Sequence, residues 1–242
     1  MRIFENAVKA FDIILPKRCL ACERPLRTGL LCSACALPPP VSSVEGRCLR
    51  CFSFLPLEPE ISCPNCHSSP LPFRQVRFLW PYAGNFKDAL RGMKYKGHRS
   101  LSSVFSAALL EALPALYPWP DWDLILPVPI SSKGLVQRGF NQCLTLAETC
   151  AAYHPSASVK TSALLLRRRH RAQATLNTSA RKSNVTNAFM ARQHLIFGKT
   201  VLLVDDVLTT GATAINCFKA LANAGARSVD LITLARSEKL ES

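Results

Sequence analysis

The sequence predicts an α/β protein, in which helices flank a parallel sheet and a small cysteine-rich metal module comes first. Two observations carry this prediction. From residue 76 onward, short continuously apolar runs alternate with segments of helical periodicity, a pattern typical of strands that are covered on both faces. Eight of the eleven cysteines lie between residues 19 and 66, in a stretch that cannot bury a hydrophobic core by itself.

The composition of the chain limits the classes of protein to which it can belong. The 242 residues have room for one ordinary α/β domain and a small module. A hydrophobic fraction of 48% excludes wholesale disorder, and no apolar run is long enough for a transmembrane helix. Charged residues interrupt the apolar N-terminus and no small-residue cleavage site follows it, so we expect a cytoplasmic protein without stable membrane insertion.

The charge of the chain is strongly positive and uneven. Thirty Lys and Arg residues against sixteen Asp and Glu give +14, and residues 160–192 carry eight cations and no acid. These cations are Lys160, Arg167, Arg168, Arg169, Arg171, Arg181, Lys182 and Arg192. Such a field is typical of a protein with a polyanionic partner, which would be nucleic acid, a polyphosphorylated metabolite or anionic lipid. A solvated basic face explains the charge equally well, so both interpretations stay open.

Four C-x2-C pairs predict two structural zinc sites. The cysteines concerned are Cys19, Cys22, Cys32, Cys35, Cys48, Cys51, Cys63 and Cys66. Two thiolates three residues apart can face one tetrahedral ion from a tight turn, and a second pair completes the shell. Four disulfides do not suit a reducing compartment. The order of pairing stays open, although the short gaps of 9 and 11 residues suit consecutive pairing better than interleaved pairing.

The remaining elements follow in chain order. Apolar residues recur at helical spacing over residues 3–15, which predicts a helix ahead of the cysteines. A turn-rich segment near 68–76 marks a boundary, so the expected domains are 1–72 and 73–242. Strands are predicted at 76–82, 124–128, 201–204 and 229–234, and helices at 86–93, 101–113, 141–153 and 213–223. Pro114 is expected to end the second helix and Gly225 to cap the last one.

Residues 201–213, with the sequence VLLVDDVLTTGAT, are the most informative segment. A buried strand leads to Asp205 and Asp206, then to a Thr-Thr-Gly turn and a helix. Ligands of open α/β sheets bind at the carboxyl ends of the strands, and backbone N–H groups at such a turn bind anions. Gly211 lets the backbone approach a phosphate closely. A 5-phosphorylated ribose satisfies the turn and both carboxylates, because its hydroxyls are partners for the acids.

This segment resembles the phosphoribosyl-pyrophosphate (PRPP) signature of type I phosphoribosyltransferases. Together with the cysteine-rich head, further segments make the whole chain similar to the ComF family. They are Lys94-Tyr95-Lys96-Gly97, Pro127-Val128-Pro129, Arg138-Gly139-Phe140-Asn141-Gln142 and the stretch from Gln173 through Arg181 to Phe189. The resemblance implies an N-terminal helix and a double zinc ribbon over 1–72, and a type I phosphoribosyltransferase fold with a small hood (residues 76–100) over 73–242.

The resemblance also implies roles for individual residues. Asp205 and Asp206 would be the catalytic pair and bind the ribose hydroxyls, directly or through Mg²⁺-bound water. The 5-phosphate would lie against Thr209, Thr210, Gly211, Ala212 and Thr213. The loop with Pro129 and Ile130 would take the pyrophosphate, with Arg138 as a nearby anion contact, and the basic stretch from Arg167 to Arg181 would be a mobile lid.

Three functions remain open at this point. The ComF family is linked to natural competence and to DNA uptake or utilisation in bacteria, which is a process and not a reaction. The protein would be an enzyme of the glycosyltransferase class that transfers phosphoribose to an unidentified acceptor, an accessory module that binds single-stranded DNA beside competence or DNA-processing proteins, or a PRPP-sensing regulator. The segment 201–213 favours ligand binding in all three.

Overall fold

The computed structural model describes residues 17–41, 43–55, 63–95, 98–167 and 188–237. The helix expected over residues 3–15 and the basic residues Arg168 to Lys182 lie outside the described residues. No helix in the described part of the chain combines the length and the apolar character needed to cross a membrane.

The α-helices and β-strands of the described chain lie between residue 64 and residue 236. The helices are α1 (Pro64–Ser68), α2 (Gly84–Tyr95), α3 (Leu101–Leu116), α4 (Ser132–Arg138), α5 (Gln142–Tyr153), α6 (Gln193–Ile196) and α7 (Ala212–Asn223). The strands are β1 (Val76–Pro81), β2 (Leu124–Pro127), β3 (Ser158–Val159), β4 (Leu164–Leu166), β5 (Phe189–Ala191), β6 (Thr200–Leu208) and β7 (Ser228–Arg236).

The chain groups into two compact units, residues 1–39 with 83–104 and residues 40–82 with 105–242. The first unit therefore holds the first two C-x2-C pairs and α2, and the second unit holds the other two pairs and every strand. The domain boundary expected after residue 72 stays a prediction.

In the first unit, the cysteine loop packs directly on α2. Phe86, Leu90 and Met93 lie on the buried face of this helix. The Leu20 carbonyl comes so close to Gly92 that a Cβ there would lie 2.6 Å from its oxygen. His98 Nδ1 lies 2.6 Å from the same oxygen, so the loop and the helix are joined at one point.

The second unit is built on a five-stranded sheet in the order β1-β7-β6-β2-β3. All of its pairings are parallel, and β6 and β7 are buried along almost their whole length. β4 and β5 form a separate antiparallel ribbon. Because the strands are parallel, their carboxyl ends meet at one edge of the sheet, which is where α/β proteins place ligands.

The amino end of the sheet is closed by an ion pair. Asp230 in β7 has no exposed surface, and both its oxygens accept hydrogen bonds from Arg74, at 2.9 and 2.6 Å. Trp122 donates its indole N–H to the same carboxylate at 2.9 Å. These contacts join the chain segments that precede β1 and β2 to the start of β7. Three donors thus satisfy the hydrogen-bonding capacity of this buried carboxylate.

Three sequence-based expectations need correction. β6 is longer than predicted and includes Asp205 and Asp206, because its neighbour β7 keeps pairing with it as far as Leu208. α3 does not end at Pro114 but at Leu116. The carbonyl that Pro114 leaves without a partner belongs to Leu110, which is 45% exposed, so water can satisfy it. Residues 76–81 of the expected hood form the edge strand β1.

Candidate functional site

The two carboxylates of β6 are buried at the carboxyl edge of the sheet. Asp205 is 9% exposed and Asp206 is 6% exposed. Asp205 Oδ1 accepts the backbone N–H of Asp206 at 2.8 Å and the Cys143 thiol at 3.6 Å. Gln142 donates its side-chain Nε2 to Asp206 Oδ2. The carboxylates therefore face the first turn of α5, whose positive end stabilises negative charge.

The turn after β6 has the form expected for an anion site. Thr209 and Thr210 are exposed and Gly211 is buried. Gly211 has a φ of 76° and stands at the N-cap of α7, where it offers no capping side chain. The Ala212 N–H lies 3.4 Å from Thr210 Oγ1. Because the first N–H groups of a helix have no backbone partner within it, this N-terminus offers donors to a ligand. Ala212 and Thr213, the first residues of α7, are exposed.

The loop after β2 is hydrogen-bonded to β6 and to α5. Val128 donates its N–H to the Val204 carbonyl of β6 at 2.9 Å, and Asn141 donates its side-chain N–H to the Val128 carbonyl at 3.2 Å. Asn141 Oδ1 also caps α5 by accepting the Cys143 N–H at 3.0 Å. One side chain thus ties the predicted pyrophosphate loop to the helix that faces the carboxylates.

The structure brings the predicted site residues to the same edge of the sheet. Pro129 and Ile130 follow β2 in this loop and are half-buried, as is Arg138 at the end of α4. Gln142 and Cys143 were not predicted as site residues. The signal available in the sequence was their place directly after Asn141, a preferred N-cap residue, at the start of a helix.

The eight cysteines form two four-cysteine clusters by consecutive pairing. The first holds Cys19, Cys22, Cys32 and Cys35, the second holds Cys48, Cys51, Cys63 and Cys66, and within each cluster the sulfurs lie within 4.8 Å of one another. Sulfur–sulfur distances of 3.7 Å (Cys22–Cys32 and Cys48–Cys66) and 3.6 Å (Cys51–Cys63) recur. Zn–S bonds of about 2.3 Å in a tetrahedron place sulfurs about 3.8 Å apart, so both clusters have the dimensions of a metal site.

The thiols of each cluster have opposed pKa shifts. Burial raises the pKa of Cys66, and the nearby Cys51 thiolate raises it further. Burial also acts to raise the pKa of Cys51, but hydrogen bonds to Ser53, Cys66 and Cys63 together outweigh it and lower the pKa to about 6. In the first cluster, burial and the neighbouring cysteines likewise raise the pKa of Cys35 to about 12. A divalent cation removes this conflict, because it stabilises four thiolates together.

The second cluster is part of the sheet unit. Phe52, which lies between the two pairs of this cluster, is fully buried and packs edge-on against Phe78 of β1 with ring centres 5.3 Å apart. Arg77 of β1 donates to the Leu49 carbonyl at 2.8 Å, and Arg236 of β7 donates to the Cys51 carbonyl. The cluster is therefore anchored to two neighbouring strands.

Comparisons with known proteins agree with this architecture. Residues 150–242 match the family described as "Phosphoribosyl transferase domain". The "Competence protein ComFC" of Streptococcus pneumoniae is 28% identical over 233 residues, which cover 90% of this chain and all of that protein. The "DNA utilization protein YhgH" of Escherichia coli K12 is 28% identical over 240 residues, covering 93% of this chain and 99% of that protein.

The resemblance to the ComF family is confirmed. The fold class expected from it is confirmed as well: a parallel sheet flanked by helices carries the phosphoribosyltransferase motif, and two four-cysteine clusters fit the double zinc ribbon of ComF proteins. A solved glutamine PRPP amidotransferase from B. subtilis is similar over 63% of this chain and 28% of its own, with 18% identity and a TM-score of 0.38. That limited overlap adds nothing to the assignment.

Proposed function

We propose that the protein binds PRPP with Mg²⁺ at residues 205–213 and transfers its phosphoribosyl group to an acceptor. One observation carries the proposal: two buried carboxylates are followed, five residues after Asp206, by a helix N-terminus with a glycine at its N-cap. In a ribose 5-phosphate ligand, the two ring hydroxyls and the phosphate lie only a few ångströms apart, so the protein has to bind both groups at neighbouring positions. The order of acids, turn and helix supplies both kinds of partner in that arrangement.

Each group would have a defined task. Asp205 and Asp206 accept hydrogen bonds from the ribose hydroxyls, and the N–H groups and hydroxyls from Thr209 to Thr213 hold the 5-phosphate. Pro129 and Ile130 line the pyrophosphate loop, with Arg138 as a nearby cation. The two carboxylates are hard oxygen donors that fit Mg²⁺, whereas the Cys143 thiol is not. Mg²⁺, when bound, would supply positive charge to the pyrophosphate oxygens.

Transfer breaks the bond between C1 of the ribose and the pyrophosphate oxygen, whose electron pair leaves with pyrophosphate. A nucleophilic atom of the acceptor then bonds to C1, which is oxocarbenium-like in between. The protein's part is to position both reactants and to stabilise the charge that develops.

The carboxylate pair gives the direct test. We expect Asp205→Asn combined with Asp206→Asn to abolish PRPP binding in a calorimetric titration with Mg²⁺. Neutral amides do not supply the negative charge that balances the Mg²⁺ held beside the ribose hydroxyls. Asp88→Asn is the matched control, since Asp88 is exposed on α2 in the first unit. Unchanged affinity in the double variant would refute the site. Pyrophosphate release in the presence of candidate acceptors separates transfer from sensing of PRPP without turnover.

A second candidate function is binding of single-stranded DNA as an accessory to DNA utilisation. A cavity of about 450 Å³ lies between the β4–β5 ribbon and α7, and Arg167, Lys219 and Asn216 line it. Arg167 donates its N–H to the Ala188 carbonyl at 2.8 Å, so the basic run leaves and rejoins the described chain at this ribbon. Cations and amides suit phosphate oxygens. The names of the relatives, a competence protein and a DNA utilization protein, support the same role.

We also propose that both cysteine clusters hold structural zinc. Four-thiolate tetrahedral sites select zinc or iron, and four separate C-x2-C turns around closed sites are typical of structural zinc. Thiolate sites of this kind are kept intact in reducing compartments, which supports a cytoplasmic location.

A further inference from the structure

Gln142 is a buried amide that is only half satisfied. It is the first residue of α5 and is 4% exposed. Its Nε2 donates to Asp206 Oδ2. Its Oε1 is buried and has no hydrogen-bond partner among the described residues. An amide oxygen without a donor is rare in a protein interior, so this atom calls for an explanation.

A 180° flip of the Gln142 side-chain amide does not satisfy the unpartnered oxygen. Only its nitrogen can donate to a carboxylate, and a reversed amide would place the carbonyl oxygen against Asp206. The contact with Asp206 therefore fixes the orientation. As both amide atoms are bonded to one carbon, the unpartnered oxygen lies next to the carboxylate pair, at the edge where the ligand is proposed to bind.

We infer that Gln142 is a ligand-binding residue of the same site. Its amide nitrogen holds Asp206 in place, and its Oε1 accepts a hydrogen bond from an O–H group of the bound ligand. Two sources of this O–H fit beside a carboxylate pair, a ribose hydroxyl and a water molecule bound to Mg²⁺. This inference rests on the proposed function and adds to it a third polar group for the sugar side of the ligand.

The inference separates the sugar side of the site from its phosphate side. The 5-phosphate is assigned to the turn from Thr209 to Thr213, away from Gln142. Loss of the Gln142 amide should therefore weaken ligands that carry a ribose, and leave binding of inorganic phosphate unchanged. A merely structural role would weaken both.

The test is a calorimetric titration of Gln142→Met, which keeps the length of the side chain but removes both polar atoms. The probes are PRPP with Mg²⁺, ribose 5-phosphate with EDTA, and inorganic phosphate. We expect about a tenfold loss of PRPP affinity, which corresponds to about 1.4 kcal/mol. Gln137→Met is the matched control, because Gln137 is exposed on α4. Should Gln142→Met melt early, Gln142→Asn retains the amide at a shorter reach and is expected to lose affinity likewise.

A double-mutant cycle decides whether Gln142 touches the ligand. In an Asp206→Asn background, Gln142→Met should still weaken PRPP if Oε1 contacts the ligand. If the loss disappears in that background, Gln142 acts only through Asp206 and the inference is wrong. A loss with ribose 5-phosphate in EDTA identifies a sugar hydroxyl as the donor, and a loss confined to titrations with Mg²⁺ identifies the metal-bound water.

Failure of the inference and failure of the proposed function give different results. If the unaltered protein does not bind PRPP, the proposed function fails. If it binds PRPP and Gln142→Met binds equally well, the proposed function stands and the inference is overturned. An equal loss for PRPP and inorganic phosphate also overturns it.

Discussion

Gly211 shows how a single residue shapes the proposed phosphate site. Its φ of 76° lies in the left-handed region, which residues with a Cβ rarely adopt. A Cβ at this position would lie 3.4 Å from Ile215 Cδ1 and 3.5 Å from Leu71 Cδ2, so the surrounding space nearly admits a methyl group. The need for glycine therefore comes mainly from the backbone conformation and from the close approach of a ligand.

We expect Gly211→Ala to lower the free energy of unfolding by about 1 kcal/mol through backbone strain. PRPP affinity should fall as well, because relief of that strain moves the N–H groups of the turn. Gly198→Ala is a matched control, since Gly198 has a φ of 72° and open space around its Cα, outside residues 205–213. Denaturant unfolding and calorimetry measure the two effects. Equal loss of PRPP affinity in both variants would contradict the assignment of the turn.

Individual residues also show which parts of the candidate site could be predicted from the sequence and which could not. Asp205, Asp206 and Gly211 could be predicted because strand, turn and helix are contiguous in the chain. Gln142 could not, because its contact with Asp206 depends on how α5 packs beside β6, and no local pattern encodes that packing. Its unpartnered oxygen is visible only once the neighbours are in place.

At the scale of elements, the two cysteine clusters are alike in chemistry and differ in what they support. The first packs against α2 in its own unit. The second is fixed to β1 and β7 through Phe52, Arg77 and Arg236. Metal at the second site should therefore stabilise the sheet, whereas metal at the first should stabilise mainly the first unit.

A pair of single variants tests this difference. Cys22→Ser and Cys51→Ser should each reduce the zinc content, measured by elemental analysis, from two ions per chain to one. All three tryptophans, Trp80, Trp119 and Trp122, lie in the second unit, so their fluorescence reports its unfolding. We expect Cys51→Ser to destabilise that transition by at least about 3 kcal/mol, a fraction of the 10–16 kcal/mol that a structural zinc site contributes.

Cys22→Ser should leave the tryptophan transition nearly unchanged. Equal shifts in the two variants would contradict separate roles, and iron in the purified protein would refute the zinc assignment. The sequence could not predict this division, because the four pairs look alike along the chain. Which strands a cluster contacts is decided by long-range packing.

At the scale of the whole molecule, the charge of +14 exceeds what one pyrophosphate ligand requires. The basic run begins at Arg167, beside the cavity between the ribbon and α7, and the proposed phosphate turn lies at the opposite end of α7 from Asn223, which also lines that cavity. The two sites thus use different residues of α7, although Asn216 of the cavity lies only about one helical turn from Ala212. Alternating apolar runs were enough to predict the parallel sheet, but the position of the ribbon relative to α7 was not predictable from them.

Neutralising the basic run should separate the two ligands. The variant replaces four neighbouring arginines by glutamine: Arg167, Arg168, Arg169 and Arg171. Single-stranded DNA affinity should fall and its dependence on salt should flatten by about 0.7 in slope for each lost phosphate contact, with PRPP affinity much less affected. A control variant replaces four exposed arginines of the first unit: Arg24, Arg27, Arg91 and Arg99. Fluorescence anisotropy over a range of salt concentrations measures the slopes.

Two results would count against this picture. Equal loss of DNA and PRPP would assign the arginines to the PRPP site and favour the enzyme alone. Absence of DNA binding even at about 50 mM salt, where backbone contacts are strongest, would remove the second candidate function.

The ion pair at the amino end of the sheet has a practical consequence for engineering. Arg74, Trp122 and Asp230 join three chain segments where the strands begin, and the proposed ligand groups lie where the strands end. The residues that hold the strands together and the residues proposed to bind the ligand are thus separated by the length of β6 and β7. Substitutions around Asp230 should therefore change the thermal stability and substitutions around Gln142 the ligand preference, and a designer can treat the two as independent variables.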